Sequence, residues 1–296
     1  MLRTRVITAL VLVGLLLAAA QWSRQALIGL CAAFLGVTLF EWLRLSGLPE
    51  ALAAVASLLA AAAAVALEFL EVRPGASLLA GLCLLACAAW VGIGFLLVRA
   101  QTAGLSLPPA VLAGAALVLC TVAWFALVAL LHDGALWTLS VLALVWLADS
   151  TAYFSGRAFG KRKLASRISP GKTWAGVWGA LAAVLGAAEA VRWIWPELGL
   201  WTTQVLRAAP LLGPIVLAAF VALSIVGDLF ESLVKRQAGV KDSGRVFPGH
   251  GGAWDRLDAS LPVLPLAVLA QWVLIEDIGG HLALATGVLG GGWTHG

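Results

Sequence analysis

Asp228 interrupts an apolar run, about two helical turns ahead of Lys235. Asp255 and Asp258 stand three residues apart where the next apolar run begins, on one face if that start is helical. Between them lies the polar stretch "KDSGRVFPGHGG". Carboxylates from two helices around a glycine-rich basic segment suit a magnesium–phosphate site. Mg2+ takes hard oxygen ligands, usually one or two carboxylates completed by phosphate and water. Lys235, Arg236, Lys241 and Arg245 can neutralise phosphate oxygens. Gly249, Gly251 and Gly252 let the backbone come close to a ligand. Plainer accounts exist. Asp255 and Asp258 would be worth about 0.3–1 kcal/mol as acids at a helix N-terminus, and Asp228 could pair with a nearby base. Neither explains why acids from two helices bracket this segment. His250 has no second His or Cys at zinc spacing; it suits a phosphate contact, a proton transfer or a structural hydrogen bond.

A second polar stretch, "LADSTAYFSGRAFGKRKLASRISPGKTWAG", runs from Leu147 to Gly176. Asp149 ends an apolar helix there, where a carboxylate is costly and is by default a functional candidate. Tyr153 is the only tyrosine in the chain. Arg157, Lys161, Arg162, Lys163, Arg167 and Lys172 follow, with no acid between Gly156 and Thr173. Ser169 and Pro170 read as punctuation before the next helix, whose N-terminus would suit a phosphate. A plain stop-transfer loop explains the charge equally well. "GKT" is not a phosphate-binding P-loop: Ser166 stands where that motif needs glycine, and no strand is expected before it.

What must position these residues follows from composition. The chain has 296 residues, 62% hydrophobic and 11% charged, with mean hydropathy +0.99. There is too little polar surface to cover a soluble core of this size. Apolar runs near 18 residues or longer read as membrane-crossing helices. Nine are expected, at about 6–22, 26–40, 51–67, 76–98, 110–131, 135–154, 174–194, 210–230 and 259–275. The fold class is therefore an all-α polytopic integral membrane protein, N-in and C-out. That orientation puts fifteen of the nineteen basic residues on the cytoplasmic side, leaving Arg24, Arg73, Arg192 and Arg207 outside. Both polar loops, 155–173 and 231–258, then share one face. The net charge of +4 reflects topology, and no nucleic-acid partner is expected. Residues 1–134 form the N-terminal helices, 135–275 the catalytic helices with their two loops, and 276–296 a tail without an assigned role. Arg3, Arg5 and the apolar run behind them look like a signal peptide, yet further apolar runs favour a retained helix. Cys31, Cys83, Cys87 and Cys120 sit in apolar runs and read as core residues.

At the polar stretches the chain resembles the phosphatidate cytidylyltransferases, or CDP-diacylglycerol synthases. The resemblance rests on Ser232, Lys235, Arg236, Lys241, Asp242, Pro248, His250, Gly251, Gly252, Asp255, Arg256 and Asp258, a long and specific pattern. Upstream, Asp149, Tyr153, Gly156, Arg157, Gly160, Lys161, Ser169, Pro170, Gly171, Lys172 and Thr173 also look like the family's loop; "EWLRL" at Glu41 to Leu45 is a weaker echo. Specific likeness covers about residues 145–260.

The resemblance implies that CTP and phosphatidate give CDP-diacylglycerol and pyrophosphate with Mg2+, K+ being a second candidate ion. It implies Asp228 and Asp255 as metal ligands, and a catalytic set of these two with Lys235, Arg236 and His250. Substrate contacts would come from Asp149, Tyr153, Arg157, Lys161, Ser169, Lys172, Thr173, Lys241, Asp242, Arg245, Gly251, Gly252, Arg256 and Asp258. The partners implied are the two substrates, the bilayer and a second copy of the chain as a homodimer. The setting implied is a bacterial plasma (inner) membrane with a cytoplasmic site. One departure stands out: Ala175 occupies a position where the family usually has glutamate, two residues after Thr173. Two other readings compete. A CTP-dependent kinase or cytidylyltransferase acting on an isoprenoid lipid shares the nucleotide chemistry. A transporter would scatter acids through several helices and often repeat itself internally; here the acids cluster.

Overall fold

The computed structural model describes residues 2–247, 249 and 251–277; His250, Pro248 and the tail from 278 lie outside the described residues. The chain is a helical bundle. Its helices are α1 Leu2–Trp22, α2 Arg24–Leu45, α3 Glu50–Phe69, α4 Ala76–Ala103, α5 Pro109–Asp133, α6 Ala135–Phe159 and α7 Trp174–Ile194. After these come α8 Trp201–Ala208, α9 Gly213–Gln237, α10 Trp254–Leu257 and α11 Ser260–Gln271. Eight segments among the described residues are long and apolar enough to cross a membrane, the last running from Trp254 to Ile275 through α10 and α11. Helix α1 coincides with the first expected segment.

Local chemistry sets the breaks. Ser23 caps α2, its side chain accepting from Ala26 N. Pro109 opens α5, where a missing N–H costs nothing. A single glycine, Gly134 at φ +143°, turns the chain from α5 into α6, a conformation that other residues rarely adopt.

Three expectations need correction. Segments two and eight are longer than expected: α2 runs to Leu45 and α9 to Gln237. Charged residues at a helix end snorkel to the interface, so the helix outlasts its apolar stretch. The second polar loop therefore narrows to 238–253. The first is not simply a loop: α6 continues to Phe159, and strands β1 Lys163–Ala165 and β2 Ser169–Thr173 form an antiparallel hairpin. "SPGKT" is thus a strand, and Thr173 rather than Ser169 caps α7, accepting from Gly176 N. β-branched Thr173 suits the last strand position as well as the cap.

Both polar segments lie at one end of the bundle. Arg167 at the hairpin tip bonds Gln101 and Thr102 at the end of α4. Gln237, ending α9, exchanges two hydrogen bonds with Leu107. Arg44, ending α2, donates to the Ser243 carbonyl at 2.6 Å. The four basic residues of the opposite end are all engaged: Arg24 with His132, Arg73 with Glu68, Arg192 with Glu189 and Arg207 with the Pro196 carbonyl.

Candidate active site

Helices α6 and α7 meet through small residues. A Cβ at Gly156 or Gly160 would press on Thr173, and one at Gly176 on the Ala152 carbonyl. This close packing fixes β2 beside α6 and sends Lys172 toward α9. There its Nζ meets Asp228 Oδ2 at 2.6 Å, with both side chains partly open. Burial pulls the Lys172 ammonium down, but the carboxylates of Asp228, Asp149 and Asp258 together more than offset this and hold it above the ordinary lysine range.

Asp258 enters the same group because α9 carries glycine at 227. A Cβ there would collide with the Asp258 carbonyl and press on Pro262. Asp228, Asp149 and Lys172 are charged neighbours of Asp258, as is Glu231 from the next turn of α9, and Arg256 adds its charge beside Asp149. Asp149, Asp228 and Asp258 thus face one lysine and one arginine.

A second, more closed group lies one helical turn further along α9. Lys235 Nζ is 2.6 Å from both Glu231 Oε2 and Asp255 Oδ1. The other Asp255 oxygen accepts from Ser243 N at 2.9 Å and Gly252 N at 2.8 Å. Glu41 of α2 reaches this group from behind: its Oε2 accepts from Ser243 Oγ at 2.7 Å and Trp254 N at 2.9 Å. Asp255 and Asp258, expected on one face, serve these two different groups, because Asp255 turns back to the loop amides while Asp258 packs against Gly227.

An aromatic cluster supports the acids. Trp42 and Trp254 stack with centroids 4.5 Å apart, and Phe230 packs edge-on against Trp42 and Trp90. Each of Trp42, Phe230 and Trp254 adjoins a site acid in sequence, Glu41, Glu231 and Asp255. Packing of this apolar layer therefore sets the spacing of the acids above it.

The polar segments that carry these acids also carry uncommitted bases. Lys161, Lys163, Arg236, Lys241 and Arg245 are exposed and form no ion pair among the described residues. Asp242 is exposed beside them. The four bases of the opposite end each have a partner, so the open charge here exceeds what topology requires. Arg157 donates to the Tyr153 hydroxyl at 3.1 Å, and this exposed pair continues along α6 one helical turn beyond Asp149. Gly251, at φ +83°, turns its Cα toward Asp255, while Gly252 lies against Glu41 and Ser243. Ser169 and Thr173 are hairpin residues, Thr173 buried in the α6–α7 seam.

The donor set suits a magnesium ion in the usual way. No three His, Cys, Asp or Glu side chains among the described residues converge on a metal position. Two carboxylates completed by substrate phosphate and water are a common Mg2+ arrangement, and the excess of carboxylate over base around Asp228 fits a cation. Asp228 and Asp255 each rest on a separate lysine here.

Two site acids were not anticipated. Glu41 is 1% exposed and Glu231 2%. The signal that singled out Asp149 and Asp228, an acid within an apolar helix, applies to both; ending the apolar segments at 40 and 230 placed them outside.

Comparison with known proteins shows the family. The model of the cytidylyltransferase family matches residues 3–274. A phosphatidate cytidylyltransferase of Pseudomonas aeruginosa is 40% identical over 285 residues, 92% of this chain and 97% of that protein. One from Haemophilus influenzae is 47% identical over 135 residues, 45% of each chain. One from Mycobacterium tuberculosis is 35% identical over 144 residues, 49% of this chain and 40% of the relative. With its polar segments gathered at one end of the bundle and a match that spans nearly all of its length, the chain belongs to the cytidylyltransferase family.

Proposed function

We propose that the protein transfers CMP from CTP to phosphatidate, giving CDP-diacylglycerol and pyrophosphate for phospholipid synthesis. One observation carries the reading. The two polar segments that carry the exposed, uncommitted bases are joined through the Lys172–Asp228 and Lys235–Asp255 pairs at one end of a membrane-spanning bundle. A lipid phosphate held at the bilayer surface and a nucleotide from water can both reach that place. The relatives named above supply the substrates.

In the transfer, a phosphate oxygen of phosphatidate forms a bond to the α-phosphorus of CTP. The bond from that phosphorus to the bridging oxygen breaks, and pyrophosphate leaves with the electron pair. Such chemistry depends on positioning and charge neutralisation rather than on a protein nucleophile. Lys161, Lys163, Arg236, Lys241 and Arg245 neutralise the phosphates. Lys172 and Lys235 hold Asp228 and Asp255 ready until substrate arrives. Mg2+, held by Asp228 and Asp255 with phosphate oxygens, would supply further charge neutralisation; K+ is a second candidate. The site faces the cytoplasm of a bacterial plasma (inner) membrane, in keeping with the gathering of bases at this end.

The test is purified protein with labelled CTP, phosphatidate and Mg2+. CDP-diacylglycerol and pyrophosphate should appear in equal amounts. Absence of the lipid product above background would refute the reading. A polyprenol in place of phosphatidate should give no product; a labelled isoprenoid phosphate would favour the kinase alternative.

A further inference from the structure

Helix α2 belongs to the N-terminal half, about 200 residues ahead of the second polar segment in sequence, yet it grips that segment along four contacts. Phe34 stacks on Phe247 at 5.3 Å, Trp42 stacks on Trp254, and Arg44 holds the Ser243 carbonyl. The fourth is Glu41, a carboxylate buried within a spanning helix, where such a group is costly unless it is used.

Ser243 stands between two carboxylates. Its Oγ is 2.7 Å from Glu41 Oε2 and 3.0 Å from Asp255 Oδ2. A hydroxyl has one proton to give. Turned to the nearer Glu41, it leaves the Asp255 oxygen to the Ser243 and Gly252 amides. The same Glu41 oxygen also takes Trp254 N, so one carboxylate pins the chain on both sides of the loop that carries those amides. Gly244 and Gly252 lie against Glu41 so closely that a Cβ at either would collide with it. Glu41 Oε1 has no hydrogen-bond partner among the described residues. The loop is folded around this side chain.

We propose that Glu41 is a positioning residue for the transfer: through Ser243 it sets the orientation of Asp255 and the start of α10. The proposal rests on the cytidylyl-transfer reading, so its test includes a measurement that needs no turnover. Misplacement by a fraction of the site's tolerance is costly, so Glu41→Ala should lower kcat about tenfold or more. The KM for CTP should rise by less than kcat falls, since Lys161, Lys163 and Arg236 lie outside the loop that Glu41 pins. Glu41→Gln keeps an oxygen that accepts from Ser243 and Trp254 and should recover most of the loss. Glu41→Ala/Ser243→Ala should be no slower than the slower single variant, because both act through one contact. Trypsin should cut after Lys241 or Arg245 several-fold faster in Glu41→Ala than in the unaltered protein, whether or not the protein turns over CTP. If Glu41→Ala does not fold, Ser243→Ala should show the same kcat loss and the same faster cleavage. Adding Glu41→Gln to it should change neither. Unchanged kcat and cleavage in Glu41→Ala, or losses in the double variant that multiply, would overturn the proposal. An unaltered protein without activity would count against the function and leave the cleavage result to decide the positioning.

Discussion

Lys172 Nζ and Asp228 Oδ2 meet at 2.6 Å, joining the strand that ends the first basic segment to the helix that leads into the second. The two polar stretches are separated in sequence by α7, α8 and α9, and this pair is where they become one site. Lys172→Met and Asp228→Asn should each lower turnover about 100-fold or more, the scale of losing one preorganised charge at a transferring phosphoryl group. Initial-rate assays on folded, purified variants check this. Turnover within about threefold of the unaltered protein for either variant would remove the pair from the site.

The same pair has a defined pH behaviour. Lys172 lies above its ordinary value of 10.5 because Asp228, Asp149 and Asp258 together outweigh the effect of burial. A raised lysine gives its full stabilisation below the unfolded value and loses it only as the pH climbs past the folded one. The difference in thermal stability between the unaltered protein and Lys172→Met should therefore stay constant from pH 7 to about pH 10. A difference that fades by pH 9 would show that the ammonium is not held in this way.

Gly227 is where α9 allows the Asp258 backbone to approach. Gly227→Ala should force α9 and α11 apart and cost about 1–3 kcal/mol, as overpacking does. Thermal unfolding followed by tryptophan fluorescence should show the loss, accompanied by reduced turnover because Asp228 and Asp258 separate. A variant as stable and as active as the unaltered protein would contradict the packing.

Topology can be read with single cysteines, since Cys83, Cys87 and Cys120 are buried and Cys31 is partly so. Val240 and Val72 are exposed at opposite ends of the bundle. In the N-in orientation, a membrane-impermeant maleimide on intact cells should label Val72→Cys and spare Val240→Cys until the membrane is opened. The reverse pattern would invert the bundle.

Apolar run length and the placing of bases made the helical bundle legible, and the grouping of two polar stretches at one end followed from counting loops. Hydrophobicity alone misplaced the helix ends. Leu39 and Phe40 are followed by Glu41, and Leu229 and Phe230 by Glu231, and a run that stops at the first acid stops too soon. Those two acids are buried because other segments supply donors to them, Ser243 Oγ and Trp254 N for Glu41 and Lys235 for Glu231. The donors to Glu41 come from about 200 residues away, which no local pattern announces. The hairpin was hidden for a related reason. Its three-residue β1 is too short for an alternating pattern to register, and "SPGKT" carries helix-start residues in a strand. Ala175, where the resemblance expects glutamate, lies in the first turn of α7 two residues beyond Thr173. The carboxylates that group together, Asp149, Asp228 and Asp258, come from α6, α9 and the junction of α10 with α11.

The hold of α2 on the second polar segment also orders events during synthesis. Glu41 is made early, and its partners Ser243 and Trp254 follow 202 and 213 residues later. At about 5–20 residues per second, some 10–40 s pass between them. Throughout that interval the acid lacks the donors that later bury it, so the end of α2 must wait at the wet surface of the membrane. Only when the last spanning helix arrives can it sink into place. The earliest part of the site is thus completed by the latest, and a chain stopped before Trp254 would hold the bases and Asp228 but could not close the loop around Glu41.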